Sequence, residues 1–383
     1  MRFLTAGESH GEALAAIIEG FPKGVRIEAS FIDSELKRRM KGFGRGKRMA
    51  IENDKVHIIS GMRNKVTLGS PIAMLVRNKD HNVFTQDADD LKKVYVPRPG
   101  HADLAGYFKY AAGDLRNILE RSSARETAAR VCVGAVCKQF LSCFAVKVAS
   151  FVTAIGKVSS DLKPKSVSDI LKKTNKSAVS SIDSDKERLM MRQIDKARKD
   201  GDTLGGVLEV WAQGVPPGIG SCMHFDARLD AKIAGYIMSI PSVKAVEIGA
   251  GFDYAGMRGR KSHDGIFLSN NSSGRLMRKT NNSGGIEGGI SNGEILVVRV
   301  GVKPVPTLVN PLPSVNILNK RKEKASVIRS DTCIVEAAGV IAENMIAIAL
   351  TEAFLDKFGS DSLREIKRNY KSYIKRNIPA RGS

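Results

Sequence analysis

The chain has 383 residues and 42% hydrophobic content, enough to bury one large core or two ordinary ones, so a globular protein is expected. Lys and Arg outnumber Asp and Glu by 61 to 40, a formal charge of +21 that draws anions, whether nucleic acid, an anionic membrane surface or small phosphorylated metabolites. Five cysteines without a CxxC spacing favour neither a disulfide framework nor a zinc site, and no run reaches the roughly 18 to 20 apolar residues of a membrane span.

The opening Met1 to His10 carries too short an apolar run and too early a carboxylate for a secretory signal, which with the cysteine usage predicts a cytoplasmic protein. Gly7-Glu8-Ser9-His10-Gly11 reads as a loop that exposes an imidazole. Arg38 to Arg48 packs arginines around Gly42, Gly44 and Gly46, a phosphate-binding loop or an RNA-contacting arm, with only Phe43 available for base stacking. Pro97-Arg98-Pro99-Gly100-His101-Ala102-Asp103 is a second loop exposing a histidine, and two such loops suit acid and base work.

Ser123 followed by Glu126 predicts a capping box opening an apolar helix over Ala124 to Phe140, with Arg121, Ser122 and Arg125 beside its N-terminus as a site for an anion, or simply as a capped helix with surface arginines. Cys132, Cys137 and Cys143 fall in this apolar stretch and are expected to be buried. Residues 157 to 199 read as a peripheral, charged helical excursion, with Val167, Ile170, Leu171, Leu189, Met190 and Ile194 at helical spacing. Strands are predicted at Val207 to Trp211, Ala245 to Ile248 and Ile295 to Val302, and helices at Asp226 to Ile240 and Val335 to Phe354. Strands and long helices interleave, so the class is mixed α and β, and the absence of repeats or a linker argues for one domain over 1–383.

Three stretches remain. Asn281 to Gly293 is glycine-rich but matches neither the P-loop nor the dinucleotide GxGxxG pattern. Lys303-Pro304-Val305-Pro306-Thr307 predicts an extended loop carrying one cation, and Arg329-Ser330-Asp331 sets a guanidinium and a carboxylate before the last apolar helix, where Asp331 could cap it. The basic runs at Lys320-Arg321-Lys322 and Arg368 to Arg376 read as solvated surface.

Taken together, the two histidine loops, Glu120 to Thr127, Gly285 to Gly289, Lys303-Pro304 and Arg329-Ser330-Asp331 resemble chorismate synthase in order and approximate spacing over about residues 1 to 355, with a basic tail over 356–383. The resemblance implies an α+β fold, a single-domain β-α-β sandwich assembled as a homotetramer. It implies a carbon-oxygen lyase that eliminates phosphate from 5-enolpyruvylshikimate 3-phosphate to give chorismate, the last common step of aromatic amino-acid biosynthesis in the shikimate pathway. It also implies reduced FMN, with NADPH or an external flavin reductase as the source of electrons.

By position, the resemblance implies flavin contacts from Arg121, Ser122, Ser123, Pro241, Ser242, Gly288, Lys303, Pro304, Val305, Pro306, Thr307 and Arg329. Arg39 and Arg45 match residues on the NADP or substrate-phosphate side. His10 is implied as the acid assisting phosphate departure, His101 as the group that protonates reduced flavin, and Asp331 as the carboxylate helping the flavin take the substrate proton. The chain departs from the family pattern in two places. Pro241-Ser242 stands where an Asn/Gln-Ala pair is usual, and Thr332-Cys333 and Glu336-Ala337 stand where Pro-Cys and Pro-Arg are common. A flavin reductase without the elimination and an RNA-binding protein are the two rival readings.

Overall fold

The computed structural model describes residues 1–46, 53–79, 93–268, 276–327 and 331–377. A four-stranded antiparallel sheet orders its strands as Arg2–Ala6, Ala13–Glu19, Ile72–Arg77 and Val56–Ile58. A five-stranded antiparallel sheet runs Val243–Ile248, Leu296–Val302, Gly206–Gln213, Lys147–Ile155 and Val158–Ser159. Between the sheets lie two helices packed on each other: Thr127–Ser142 against the first sheet and Val335–Phe358 against the second. This is the expected α+β sandwich.

The period-2 alternation of side chains decides which sheet faces turn inward. Leu14, Ala16, Ile18, Ile72, Met74 and Val76 are buried under Thr127–Ser142, while their outward neighbours Leu4 and Ile17, paired in register, stay exposed. In the second sheet Val298 pairs with Val210 and Val300 with Leu208, all buried toward Val335–Phe358. The opposite face holds a smaller cluster of Ala149, Phe151, Val167, Ile170 and Ile182 beneath the Val167–Thr174 helix. Two helices, that one and Ser184–Lys199, make up the charged excursion, and Met190 and Ile194 turn its inner face to the core. Lys320, Arg321 and Arg368 are exposed or nearly so, and the tail carries a helix, Leu363–Asn377, anchored by the fully buried Ile366.

Val335–Phe358 is long and apolar enough to cross a membrane by composition, yet it is buried along nearly its whole length inside the fold. Its crossing with Thr127–Ser142 is close because Gly134 has no side chain. A Cβ there would stand 2.6 Å from both the Cα and the carbonyl oxygen of Asn344. In an open helix Gly→Ala gains up to about 1 kcal/mol. Here backbone must move, so Gly134→Ala is expected to cost about 1–3 kcal/mol, measured by urea unfolding. A neutral or stabilising result would show that the two helices can separate freely.

Some expectations shift. The helix expected from Ala124 begins instead as a 3-10 turn, Ala124–Glu126, and becomes an α-helix at Thr127. The capping box does not form: the Ser123 hydroxyl accepts from Arg125 N–H at 3.3 Å, while the Glu126 carboxylate turns away to Arg130 at 2.7 Å. Asp226 to Ile240 likewise splits into a 3-10 turn and the helix Leu229–Met238. Cys132 and Cys137 are buried as expected, but Cys143, at the end of its helix, is exposed.

Candidate active site

The His10 loop is bent by Gly7, whose φ of +107° and near-collision with the Ala13 carbonyl leave no room for a side chain. His10 then lies against Glu120, 110 residues away. Its Nδ1 is 2.9 and 3.0 Å from the two carboxylate oxygens, and its backbone N–H donates to the same carboxylate at 2.9 Å. Burial opposes ionisation of Glu120, but the hydrogen bonds from His10 and the nearby Arg116 hold its carboxyl below the usual range. Arg121, on the adjacent helix turn, donates to Gly7 O at 3.3 Å. Ser122 does not open a helix: it ends Arg116–Ser122, and its hydroxyl donates to Ile118 O at 2.6 Å. Of the two serines only Ser123 stands at the start of the following helical segment.

His101 has a parallel arrangement. Its Nδ1 is 2.6 Å from Asp103, which is fully buried and also accepts from Arg98 Nε at 2.8 Å and Nη2 at 3.0 Å. Burial works against that charge, and the His101 and Arg98 contacts overcome it, setting the Asp103 carboxyl well below the usual range. Arg98 Nη1 reaches Thr307 Oγ1 at 3.2 Å, and Lys303 Nζ donates to Gly100 O, so the 303–307 loop closes over the second histidine loop. Burial, with Lys244 nearby, lowers the Lys303 ammonium.

The described arginines of the Arg38 to Arg48 stretch turn inward. Arg39 is 3% exposed, with Nε donating to Thr127 Oγ1 at 2.9 Å and Nη2 to Ala124 O at 2.8 Å, while its buried Nη1 has no hydrogen-bond partner. Burial, with Arg45 and Arg125 beside it, pulls this guanidinium down to about 10. Arg125 pairs with Asp54 at 2.6 Å and donates to Asn78 Oδ1 at 2.8 Å. Arg45 pairs with Asp331 at 2.7 Å, and Gly46 N–H donates to the other oxygen of Asp331 at 2.7 Å. Asp331 is therefore not a helix cap, since Ile334 holds that position without a side-chain bond. Arg38, Arg39 and Arg45 therefore turn into the fold rather than out along an arm toward RNA, while Lys47 and Arg48 of the same stretch lie outside the described residues.

These groups share one frame. Asn78 donates to Glu8 O at 3.2 Å and Gly11 O at 2.6 Å while accepting from Arg125, which ties the His10 loop to the arginine set. Thr203 donates to Val305 O at 2.7 Å, and Leu204 N–H to Thr332 O at 2.8 Å, which ties the 303–307 loop to Asp331. Ser242, at φ +70°, accepts from Lys303 N–H at 2.9 Å, bringing Pro241 and Ser242 alongside. Gly288 and Gly289 form the two-residue turn of a small hairpin, both at positive φ, with Gly288 facing open space. That turn is joined to Leu229 rather than to the histidine loops. Arg329 lies outside the described residues. Glu120, Asp103 and Arg98 fall within motifs of the sequence reading but have no role there, and Asn78 falls in none of them. The available signal was a carboxylate two residues after His101 and another just before Arg121. A cavity of about 310 Å³ at Gly359–Asn369 lies away from this frame, and one of about 600 Å³ between Phe3–Thr5 and Ala231–Ser239 meets it at Thr5, which accepts from Arg121 at 3.4 Å.

Glu336 begins the Glu336-Ala337 pair that stands where the resemblance leads one to expect Pro-Arg. It is 4% exposed, with one oxygen accepting from Phe43 N–H at 3.3 Å and the other without a partner. Burial pushes its carboxyl up to about 7 despite the nearby Arg45. A carboxyl raised from an ordinary 4.5 keeps its proton only in the folded state between those values, so stability falls as pH rises from about 4.5 to about 7. Glu336→Gln is expected to stabilise the protein by roughly 1–3 kcal/mol at pH 8 and to change nothing at pH 4.5, read by thermal unfolding at both pH values. Equal effects at the two pH values would contradict a buried neutral carboxyl.

Two imidazoles on buried carboxylates, a buried arginine set and a carboxylate paired with arginine can bind an anion and move protons around it. A sequence profile described as chorismate synthase matches residues 1–355. The chorismate synthase of Carboxydothermus hydrogenoformans is 47% identical over 379 residues, covering 97% of this chain and 98% of that protein. That of Geotalea uraniireducens is 49% identical over 385 residues, covering 97% and 98%. A crystal structure of chorismate synthase superimposes with a TM-score of 0.81 at 40% identity, covering 99% of this chain and 98% of the other. With full-length agreement in both sequence and fold, the chain belongs to the chorismate synthase family of lyases.

Proposed function

We propose that the protein converts 5-enolpyruvylshikimate 3-phosphate to chorismate by 1,4-anti-elimination of phosphate with reduced FMN. The observation that carries this reading is the pairing of two loop imidazoles with buried carboxylates on one hydrogen-bonded frame with Arg39, Arg45, Arg125 and Asp331. The difficulty lies in an unactivated C–H bond and an anionic leaving group. Arginines balance the charge of the phosphate and carboxylates of the substrate. His10 delivers a proton to the departing phosphate, and the Asp331 carboxylate assists removal of the substrate's ring proton on the other side of the reaction.

The residues present fit a flavin. Arg121 is exposed beside the His10 loop, Arg39 holds a buried Nη1 that makes no hydrogen bond and has only Asp54 at 3.9 Å, and Gly288 faces open space that a flat ring system can approach. Arg121, Ser123, Pro241, Ser242, Gly288 and Lys303 to Thr307 would hold it, and when bound it supplies an electron transiently without net redox change. His101 would serve as a proton donor on that side. NADPH or an external flavin reductase would supply the electrons. We place the protein in the cytoplasm as a homotetramer of single-domain subunits, and the exposed apolar row of Leu4 and Ile17 is consistent with a face covered by another subunit.

The test is anaerobic: purified protein, FMN, dithionite and 5-enolpyruvylshikimate 3-phosphate, with chorismate and phosphate followed together. Equimolar appearance of both is the expected result. Flavin binding without either product would point to a reductase, and neither binding nor products would return attention to nucleic acid.

A further inference from the structure

We propose that Glu120 is a positioning residue that fixes His10 with its proton on Nδ1, so that Nε2 is the atom that handles the proton of the leaving phosphate. This rests on the elimination reading above for the role of His10, but not for the geometry. Glu120 is 1% exposed, and its carboxylate is largely committed to His10: the ring Nδ1 at 2.9 and 3.0 Å and the backbone N–H at 2.9 Å, with Arg116 farther off at 3.5 Å. Asp103 is different, since it accepts three bonds from Arg98 and locks a loop as much as a ring. His224 and Asp226 show the same 2.6 Å contact at 64% and 69% exposure, where water competes and nothing is fixed.

An ionised carboxylate only accepts hydrogen bonds. A ring nitrogen held against one must therefore carry a hydrogen, and in the neutral ring the lone pair falls on Nε2. The proton balance closes. The imidazolium gives its Nε2 proton to a phosphate oxygen as the C–O bond breaks, and the neutral ring left behind is the Nδ1–H form that Glu120 already holds.

The experiment uses the full chain with 15N-labelled histidine, in which ring shifts at a pH where the imidazole is neutral report the tautomer. His10→Asn identifies the His10 signals. Wild type is expected to show the Nδ1–H form. In Glu120→Gln the amide can either accept from or donate to Nδ1, so the ring should become a mixture of tautomers, with kcat lower by about 100-fold and KM for 5-enolpyruvylshikimate 3-phosphate unchanged within about twofold. Glu120→Asp keeps the charge and should retain the Nδ1–H form and part of the turnover. It also serves as the informative variant if the glutamine protein does not fold. A His10 ring that stays Nδ1–H in Glu120→Gln, or a Glu120→Asp protein with the tautomers mixed, overturns the assignment. A shift of tautomer in a protein whose wild type releases no phosphate supports the positioning role and sinks the elimination reading instead.

Discussion

Glu343→Ala is expected to destabilise the fold by about 3–5 kcal/mol, a large share of the stability of a typical domain. Glu343 is fully buried in the Val335–Phe358 helix. It accepts from Arg38 Nη1 at 2.8 Å and Nη2 at 2.7 Å, from Lys138 at 2.6 Å, and from the N–H and hydroxyl of Ser150 at 2.8 and 2.7 Å. Glu35 completes the set, accepting from Arg38 and Lys138 at 2.6 Å. Two carboxylates thus balance two cations. Removing Glu343 leaves an excess positive charge at the centre of the sandwich and an N–H and a hydroxyl of Ser150 without their acceptor. Glu343→Gln, which keeps the shape, should cost less than the alanine but still raise the pH at which the protein unfolds in acid.

The sign of that acid effect follows from the charges. Burial opposes ionisation of Glu343, yet Arg38 and Lys138 hold its carboxyl down to about 2. A carboxyl lowered from 4.5 contributes stability that is present above 4.5 and is lost as pH falls toward 2. Urea unfolding at pH 7 and at pH 3 therefore separates the variants: wild type should lose stability between the two, and Glu343→Gln should lose less. Equal losses would mean that the cluster is not the source of the acid limb.

None of this cluster was legible from sequence spacing. Its members come from residues 35, 38, 138 and 343, and only the Glu35 and Arg38 pair is local. What could have been read was the anomaly itself, Glu343-Asn344 inside an otherwise apolar run, because a charge there must find a partner. The elements were more legible. Leu296–Val302 alternates over its whole length and was found within a residue, whereas the start of Thr127–Ser142 was placed three residues early, because Ser123 and Glu126 satisfy the capping-box pattern without forming it. Spacing cannot report that the Glu126 side chain prefers Arg130. The same limit hid Glu120 from His10 and Arg45 from Asp331, contacts that span 110 and 286 residues. Family resemblance put His10, His101 and Asp331 forward, and the chain's own geometry supplies their partners.

Those partners shape the last and largest expected effect on turnover. Asp331→Asn should lower kcat by about 10²–10⁴-fold, equivalent to about 3–5 kcal/mol of barrier. The amide fills the same space but carries no negative charge to assist proton removal, and it can no longer accept from both Arg45 and Gly46 N–H, each now at 2.7 Å. Stability should change by no more than about 1 kcal/mol, because the pair is partly open to water at 11% and 22% side-chain exposure. For His10 the choice of variant matters. His10→Ala leaves the fully buried Glu120 side chain without its ring partner and mixes a folding cost into the kinetics, whereas His10→Asn keeps an N–H donor within reach. His10→Asn is expected to hold its melting temperature and lose turnover by a similar factor. If Asp331→Asn and His10→Asn both turn over like wild type while folded, the acid and acceptor roles belong to other groups on this frame, and His101, tied to Asp103 and Arg98, is the first to examine.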